Sequence, residues 1–318
     1  MRLVPGLRVL PRGDGEVQVG TDPRWAVRVD GLAPAEVEAL LALNEHPLAP
    51  VPEALAGPLT DAGLTLAAGD TAGAAPPAEA ATWPLLHAAP PARGAAVVAV
   101  MGLGPTGLTV VLALAAAGVG TLLLDDERLV TAADVGAGGY RWTDVGSPRE
   151  AVAGRCVRDV APTCLTDTAE EPDVLVVVDQ GATDPGQALT LLGSGVPHLP
   201  VVLREADALV GPLVVPGSGP CLHCLDLHRA DVDPAWPRVA LALTTHRTAP
   251  AGEAAHLAAV AGGLAAAAVL TLLDGAPATG VSYEVPLPDV VPRTRRWAVH
   301  PHCGCTALVA VPAAAGPS

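Results

Sequence analysis

Lysine, phenylalanine and isoleucine are absent from this 318-residue chain, and asparagine occurs once, at Asn44. Alanine, glycine and proline are abundant instead, a bias of the kind that GC-rich coding produces, so an arginine where another protein has lysine need not signal different chemistry. Positive charge is scarce too: 18 arginines face 33 acidic residues, for a net charge of −15. That balance excludes a nucleic-acid partner, because phosphate backbones demand clustered basic side chains. No unbroken apolar run reaches the ~18 residues of a membrane span. The longest candidate, Leu257–Leu273, is rich in small residues, carries two central glycines and stops at Asp274. The opening Met1-Arg-Leu-Val-Pro-Gly does not resemble a signal peptide either. A cytoplasmic protein with no membrane partner is expected, long enough for two domains and a sizeable core.

What is present centres on Val97-Val-Ala-Val-Met-Gly102-Leu-Gly104-Pro-Thr-Gly107, followed by an alanine-rich run and then Gly120-Thr-Leu-Leu-Leu-Asp125. This order reads as strand, glycine turn, helix from about Pro105 and second strand ending in an acid. Gly102 permits a tight turn, Gly104 lets backbone approach a phosphate, and Gly107 lets the helix sit close on the strand. Asp125 stands where an acid takes ribose hydroxyls. Any α/β domain with a glycine turn is the plainer alternative. Further strands at Val174–Asp179, Leu199–Leu203 and Ala208–Val215 alternate with helices at about Pro148–Val160 and Gly186–Leu192. The expected fold class is therefore α/β, a Rossmann-like, mostly parallel sheet with helices on both faces, occupying residues 94–318. Residues 1–66 form a separate small α+β unit, winged-helix-like, with strands at Leu7–Leu10, Val17–Val19 and Trp25–Val29 and a helix from Pro34. A mere structural extension is the competing reading of that unit. Residues 67–93, rich in alanine and proline, read as a linker.

Four of the six cysteines fall in two tight clusters, Cys221-Leu-His-Cys224 and Cys303-Gly-Cys305. Two turns bearing two thiolates each match the four soft ligands of a structural zinc. A disulfide is disfavoured by a cytoplasmic setting, and redox chemistry by the distance in sequence between the pairs. His223, His300 and His302 flank the clusters and read as surface histidines. Cys156 and Cys164 read as buried, inert thiols. The segment from Asp226 onward ends in a Thr/Ala-rich loop, followed by a small-residue helix, Glu253–Leu273, suited to close packing or to a homodimer.

The glycine turn, the acid on the next strand, Gly146-Ser-Pro-Arg149 and the paired cysteines, taken in order, resemble the ThiF/MoeB family of ubiquitin-activating-like adenylyltransferases. The resemblance implies reaction of ATP with the C-terminal carboxylate of a peptide or small protein to give an acyl-adenylate and pyrophosphate. On that pattern Gly102, Gly104 and Gly107 form the phosphate turn and Asp125 the ribose acid. Arg149 takes the place of a phosphate-reaching lysine, Asp179 or Asp184 holds magnesium, and Cys221, Cys224, Cys303 and Cys305 hold zinc. Pro105 replaces a family glycine, and Ala133–Arg141 replaces an asparagine- and arginine-bearing segment, leaving Arg141 as a candidate catalytic arginine. Residues 226–250 carry no cysteine, which excludes a thioester step there. Pro5-Gly-Leu-Arg-Val, Gly211–Cys221 and Arg296–Cys305 further resemble the ThiF-like proteins of azole-forming peptide pathways. In those the N-terminal unit grips the leader of a precursor peptide for a partner cyclodehydratase, by adding it as a strand.

Two functions of different class follow: an adenylyltransferase using ATP with magnesium, or a scaffold that binds a leader peptide. A nicotinamide oxidoreductase is a third, which the same turn allows but which leaves the cysteine clusters without a role.

Overall fold

The structure, a computed structural model, describes residues 1–67, 79, 82–86, 92–136, 139–245 and 253–308. The chain divides into two compact units, Met1–Pro91 and Ala92–Ser318.

In the first unit, β2 (Val9–Gly13), β3 (Glu16–Val19) and β4 (Val27–Val29) form an antiparallel sheet, while β1 (Arg2–Leu3) pairs with β5 (Thr65–Leu66). Between them lie α1 (Pro34–Leu41) and α2 (Glu53–Asp61). Pro34 occupies the first turn of α1, where a missing N–H leaves no helical bond unmade. Val17 and Val19 alternate inward from β3 and meet Leu40 of α1 and Leu59 of α2 in a small apolar core. Part of the stretch read as a linker is ordered on this unit: α3 (Trp83–Leu86) follows Thr82, and the Trp25 indole donates to the Leu85 carbonyl at 2.9 Å. Most of residues 67–93 lies outside the described residues.

The second unit is built on a seven-stranded sheet in the order β12-β11-β10-β9-β8-β6-β7. β6 (Val97–Met101), β7 (Thr121–Asp125), β8 (Val174–Gln180) and β9 (His198–Leu203) run parallel. Their near-continuous apolar sequences suit strands covered on both faces. β10 (Asp207–Val210), β11 (Val281–Pro286) and β12 (Arg293–Arg296) extend the sheet antiparallel. α4 (Pro105–Ala116) packs against α5 (Arg149–Val160) and α9 (Ala255–Leu273), and α6 (Pro185–Ser194) packs against α7 (Leu222–Val232). Right-handed crossovers put α4 and α6 on opposite faces, giving the doubly covered Rossmann-like sheet expected. α9 has the length and hydropathy of a membrane span, yet Leu257, Ala261, Ala265 and Val269 are buried in the core. Its crossing with α4 is close, because a Cβ on Gly262 would lie 2.6 Å from the Thr109 Cβ.

Some expectations are corrected. The stretch expected as a Thr/Ala-rich loop begins as a helix: after α7 ends at Val232, α8 covers Trp236–Thr245, and residues 246–252 lie outside the described residues. The strand expected at Ala208–Val215 ends at Val210.

Candidate functional site

The turn between β6 and α4 has the geometry its glycines imply. Gly102 sits at φ 87°, and a Cβ there would lie 2.5 Å from the Val178 carbonyl oxygen. A Cβ on Gly107 would overlap the Gly102 carbonyl, so α4 rests directly on the turn. Gly104 is the N-cap of α4 and Pro105 its first residue. The amide of Gly102 donates to the Asp125 carbonyl at 2.8 Å, which fixes the end of β7 beside the turn. Gly102, Asp125 and Asp179 thus fall at the carboxyl ends of β6, β7 and β8, where open α/β sheets hold their ligands. The exposed Asp125 carboxyl is raised above its ordinary value by partial burial and by Glu150, Asp126 and Glu127. Asp184 is placed elsewhere in role: exposed, it caps α6 by accepting the Gln187 amide at 2.9 Å.

Beneath the turn lies a charge network that the sequence did not disclose. Asp126, not Asp125, is the buried acid. Its Oδ2 accepts from the Leu103 amide at 2.7 Å and from Arg149 Nη1 at 3.0 Å, and Oδ1 accepts from Arg128 Nε at 2.8 Å. Burial opposes its charge, but the Arg128, Leu103 and Arg149 donors overcome that and hold the carboxyl at about 2. Arg149 is buried, and its Nη2 donates to Asp134 at 2.6 Å. The planar guanidinium is therefore committed to two carboxylates. Tyr140, also buried, donates its hydroxyl to the Leu103 carbonyl at 2.5 Å. The segment around 133–141 accordingly locks the underside of the turn through Asp134 and Tyr140. Arg141 is exposed at the start of a short 3-10 turn, its amide donating to Asp144 at 2.9 Å. Among the described residues no hydrogen bond or ion pair ties its guanidinium to the glycine turn.

One more acid reaches the turn, from the residue pair before α9. Oε2 of Glu253 accepts from the Thr106 amide at 2.8 Å and from the Thr106 hydroxyl at 2.5 Å. Burial raises its carboxyl above the ordinary value.

The four clustered cysteines converge. Cys221 is the N-cap of α7 and Cys224 lies one turn in, while Cys303 and Cys305 follow β12. Sγ separations are 3.9 Å for Cys221–Cys224, 3.7 Å for Cys221–Cys303 and 3.5 Å for Cys224–Cys305. Bonds of ~2.3 Å from a tetrahedral centre put sulfurs about 3.8 Å apart, so the set can hold a metal ion. Burial raises the Cys221 thiol and takes Cys303 up to about 11. Burial acts on Cys224 in the same sense, but backbone N–H groups of His300 and Cys221 and the neighbouring thiols bring it below its ordinary value. His300 is not a surface residue: it is buried and its Nε2 lies 2.9 Å from Asp231 Oδ2. Its Nδ1 accepts from the His302 amide at 3.1 Å, which places the ring proton on Nε2, facing Asp231. His223 and His302 are exposed, and Cys156 and Cys164 are buried with their thiols raised by burial, as expected.

No protein-family model and no curated protein matches the chain. Solved structures do. E. coli MccB with AMPCPP and MccA superposes with a TM-score of 0.68 at 17% identity, covering 96% of this chain and 98% of that one. The microcin C7 biosynthetic enzyme MccB in complex with N-formylated MccA gives a TM-score of 0.68 at 16% identity, over 96% and 99%. PaaA gives 0.64 at 15% identity, over 92% and 98%. At these identities what is shared is the fold, and it is shared along nearly the full length of both chains.

Proposed function

We propose that this chain is a ThiF/MoeB-like adenylyltransferase, a cytoplasmic homodimer that activates the C-terminal carboxylate of a peptide with ATP and magnesium. One observation carries the reading: the fold likeness to MccB, a protein solved with ATP and with MccA, spans 96% of this chain, which has a tight glycine turn with Asp125 beside it. In the reaction a carboxylate oxygen of the peptide attacks the α-phosphorus of ATP, the bond to the bridging oxygen breaks, and pyrophosphate leaves. Asp125 accepts hydrogen bonds from the ribose hydroxyls and the turn at Gly102–Gly107 receives the phosphates. Asp179, at the end of β8, offers the carboxylate oxygen that a hard cation such as magnesium takes, and the ion would neutralise charge on the leaving pyrophosphate. Asp184 is spent on its helix cap and fits that role less well. Arg149 acts by holding the turn in shape from below.

Cys221, Cys224, Cys303 and Cys305 hold a structural zinc in this proposal; hence no thiol enters the chemistry. The N-terminal unit, whose three-stranded sheet has β2 and β4 outermost, receives the peptide as an added strand.

A second reading is favoured by the occupied state of the turn, where Asp126 and Glu253 already accept from Leu103 and Thr106. There the fold is a scaffold that presents a precursor leader to a partner cyclodehydratase. ATP–pyrophosphate exchange in the presence of candidate peptides decides between them. Exchange that requires a free peptide C-terminus and is lost on amidation is expected. Leader binding by the N-terminal unit with no exchange would instead establish the scaffold.

A further inference from the structure

Glu253 is the residue whose position the adenylylation chemistry does not use. Pro105 has no N–H, so Thr106 carries the first amide that the N-terminus of α4 can offer a ligand. That amide and the Thr106 hydroxyl both donate to Glu253 Oε2. Of the amides before Pro105, that of Leu103 donates to Asp126. At Gly104, the glycine that lets backbone approach a phosphate, an added Cβ would strike Glu253 Oε1. The space that Gly104 keeps open is thus filled by a carboxylate of the chain itself. Arg149 favours the charge of this carboxylate and Asp134 opposes it.

A helix N-terminus attracts one anion strongly and cannot seat two in the same place. We propose that Glu253 is a resident anion of the glycine turn, which any phosphate must displace in order to bind. Insofar as that phosphate belongs to ATP, the inference rests on the reading of the turn as a nucleotide site. Apparent affinity for a phosphorylated ligand is then scaled down by the small fraction of molecules in which Glu253 has left the turn, while a ligand without phosphate bears no such cost. The carboxylate also keeps the α4 terminus satisfied in the free protein, as an N-terminal acid does for helices generally.

The test titrates the full chain and its Glu253→Gln and Glu253→Ala variants by calorimetry with three probes: ATP with magnesium, inorganic pyrophosphate and adenosine. Glu253→Gln retains an acceptor for Thr106 and guards against a merely misfolded variant. ATP and pyrophosphate are expected to bind the variants about tenfold more tightly than wild type, the scale of one partly buried charge at a helix N-terminus, with adenosine unchanged. Equal pyrophosphate and ATP affinities in wild type and both variants would overturn the proposal while leaving the nucleotide site intact. Pyrophosphate binding gained on removing Glu253, with neither ATP nor adenosine preferred, would uphold the resident anion and refute the nucleotide reading.

Discussion

Replacing Arg149 by methionine tests whether this side chain supports the turn or touches phosphate. Its guanidinium is 3% exposed and bridges Asp126 and Asp134, whose side chains are 2% and 7% exposed. Methionine keeps much of the volume but takes a charged donor from two buried carboxylates, leaving Asp126 with Arg128 and the Leu103 amide and Asp134 with the Thr131 amide and hydroxyl; breaking a buried pair costs about 3–5 kcal/mol. The depressed Asp126 carboxyl gives an independent scale: a fall from 3.8 to about 2 corresponds to about 2 kcal/mol, shared among Arg128, the Leu103 amide and Arg149. Loss of the Asp134 bond adds to whatever part of that belongs to Arg149. At about 3 kcal/mol, a unit of this size should melt roughly 6–12 °C lower. Arg149→Lys restores the charge without the fork that reaches both carboxylates, so it should recover only part of the loss. Adding Asp134→Asn to Arg149→Met removes one of these buried charges and should raise the melting temperature again. Thermal and urea denaturation followed by circular dichroism measure all four proteins. An Arg149→Met protein that melts with wild type but no longer binds ATP would refute the argument and make Arg149 a phosphate ligand.

Metal analysis should find about one zinc per chain, and Cys224→Ser should lower the melting temperature and release the metal without changing ATP affinity; a metal-free wild type whose melting is insensitive to the substitution would contradict the zinc assignment. Asp125→Ala should weaken ATP binding by about 1–3 kcal/mol through loss of charge-assisted ribose bonds, with stability little affected because the side chain is exposed; unchanged affinity would remove Asp125 from the site.

Much of the second unit was legible because its signals are local. Four buried parallel strands read as Val/Leu runs, and the turn read from glycines whose backbone demands the structure bears out at Gly102 and Gly107. The cysteine pairs announced their convergence through chemistry, although some eighty residues separate them. Asp126, Asp134 and Glu253 were missed for a shared reason. Each is an acid with no periodicity, whose partner lies 23, 15 or 147 positions away. The Asp125-Asp126 doublet was a signal, but alternation at a strand end does not say which of two neighbours turns inward. Arg149 was singled out by family pattern, to which its bonds to Asp126 and Asp134 are invisible. α8 escaped although Trp236, Val239, Ala240 and Leu243 stand at helical spacing, because Pro237 and the Thr/Ala-rich stretch after it read as a loop.

The two acids on the glycine turn should give stability a maximum in pH, because they are perturbed in opposite directions. Asp126 faces Arg128, Arg149 and the Leu103 amide, with Glu150 accepting from its backbone N–H. Its folded-state carboxyl is lowered from 3.8 to about 2, so the unfolded chain binds more protons in that window. Stability contributed by Asp126 is present above pH ~4 and is lost as pH falls toward ~2. Glu253 faces Thr106 from α4, Arg149 from α5 and Asp134 from the loop between β7 and α5, and burial raises its carboxyl above 4.5. For this group the folded state binds more protons, so stability falls as pH rises from ~4.5 through the raised value. Asp125, raised mainly by partial burial, adds in the same sense. Melting temperatures from about pH 2 to about pH 8 should therefore climb and then decline. Glu253→Gln should flatten the upper limb and leave the lower one, and Asp126→Asn should do the reverse while lowering the whole curve. An upper limb identical in wild type and Glu253→Gln would show that the carboxylate is not held in the turn.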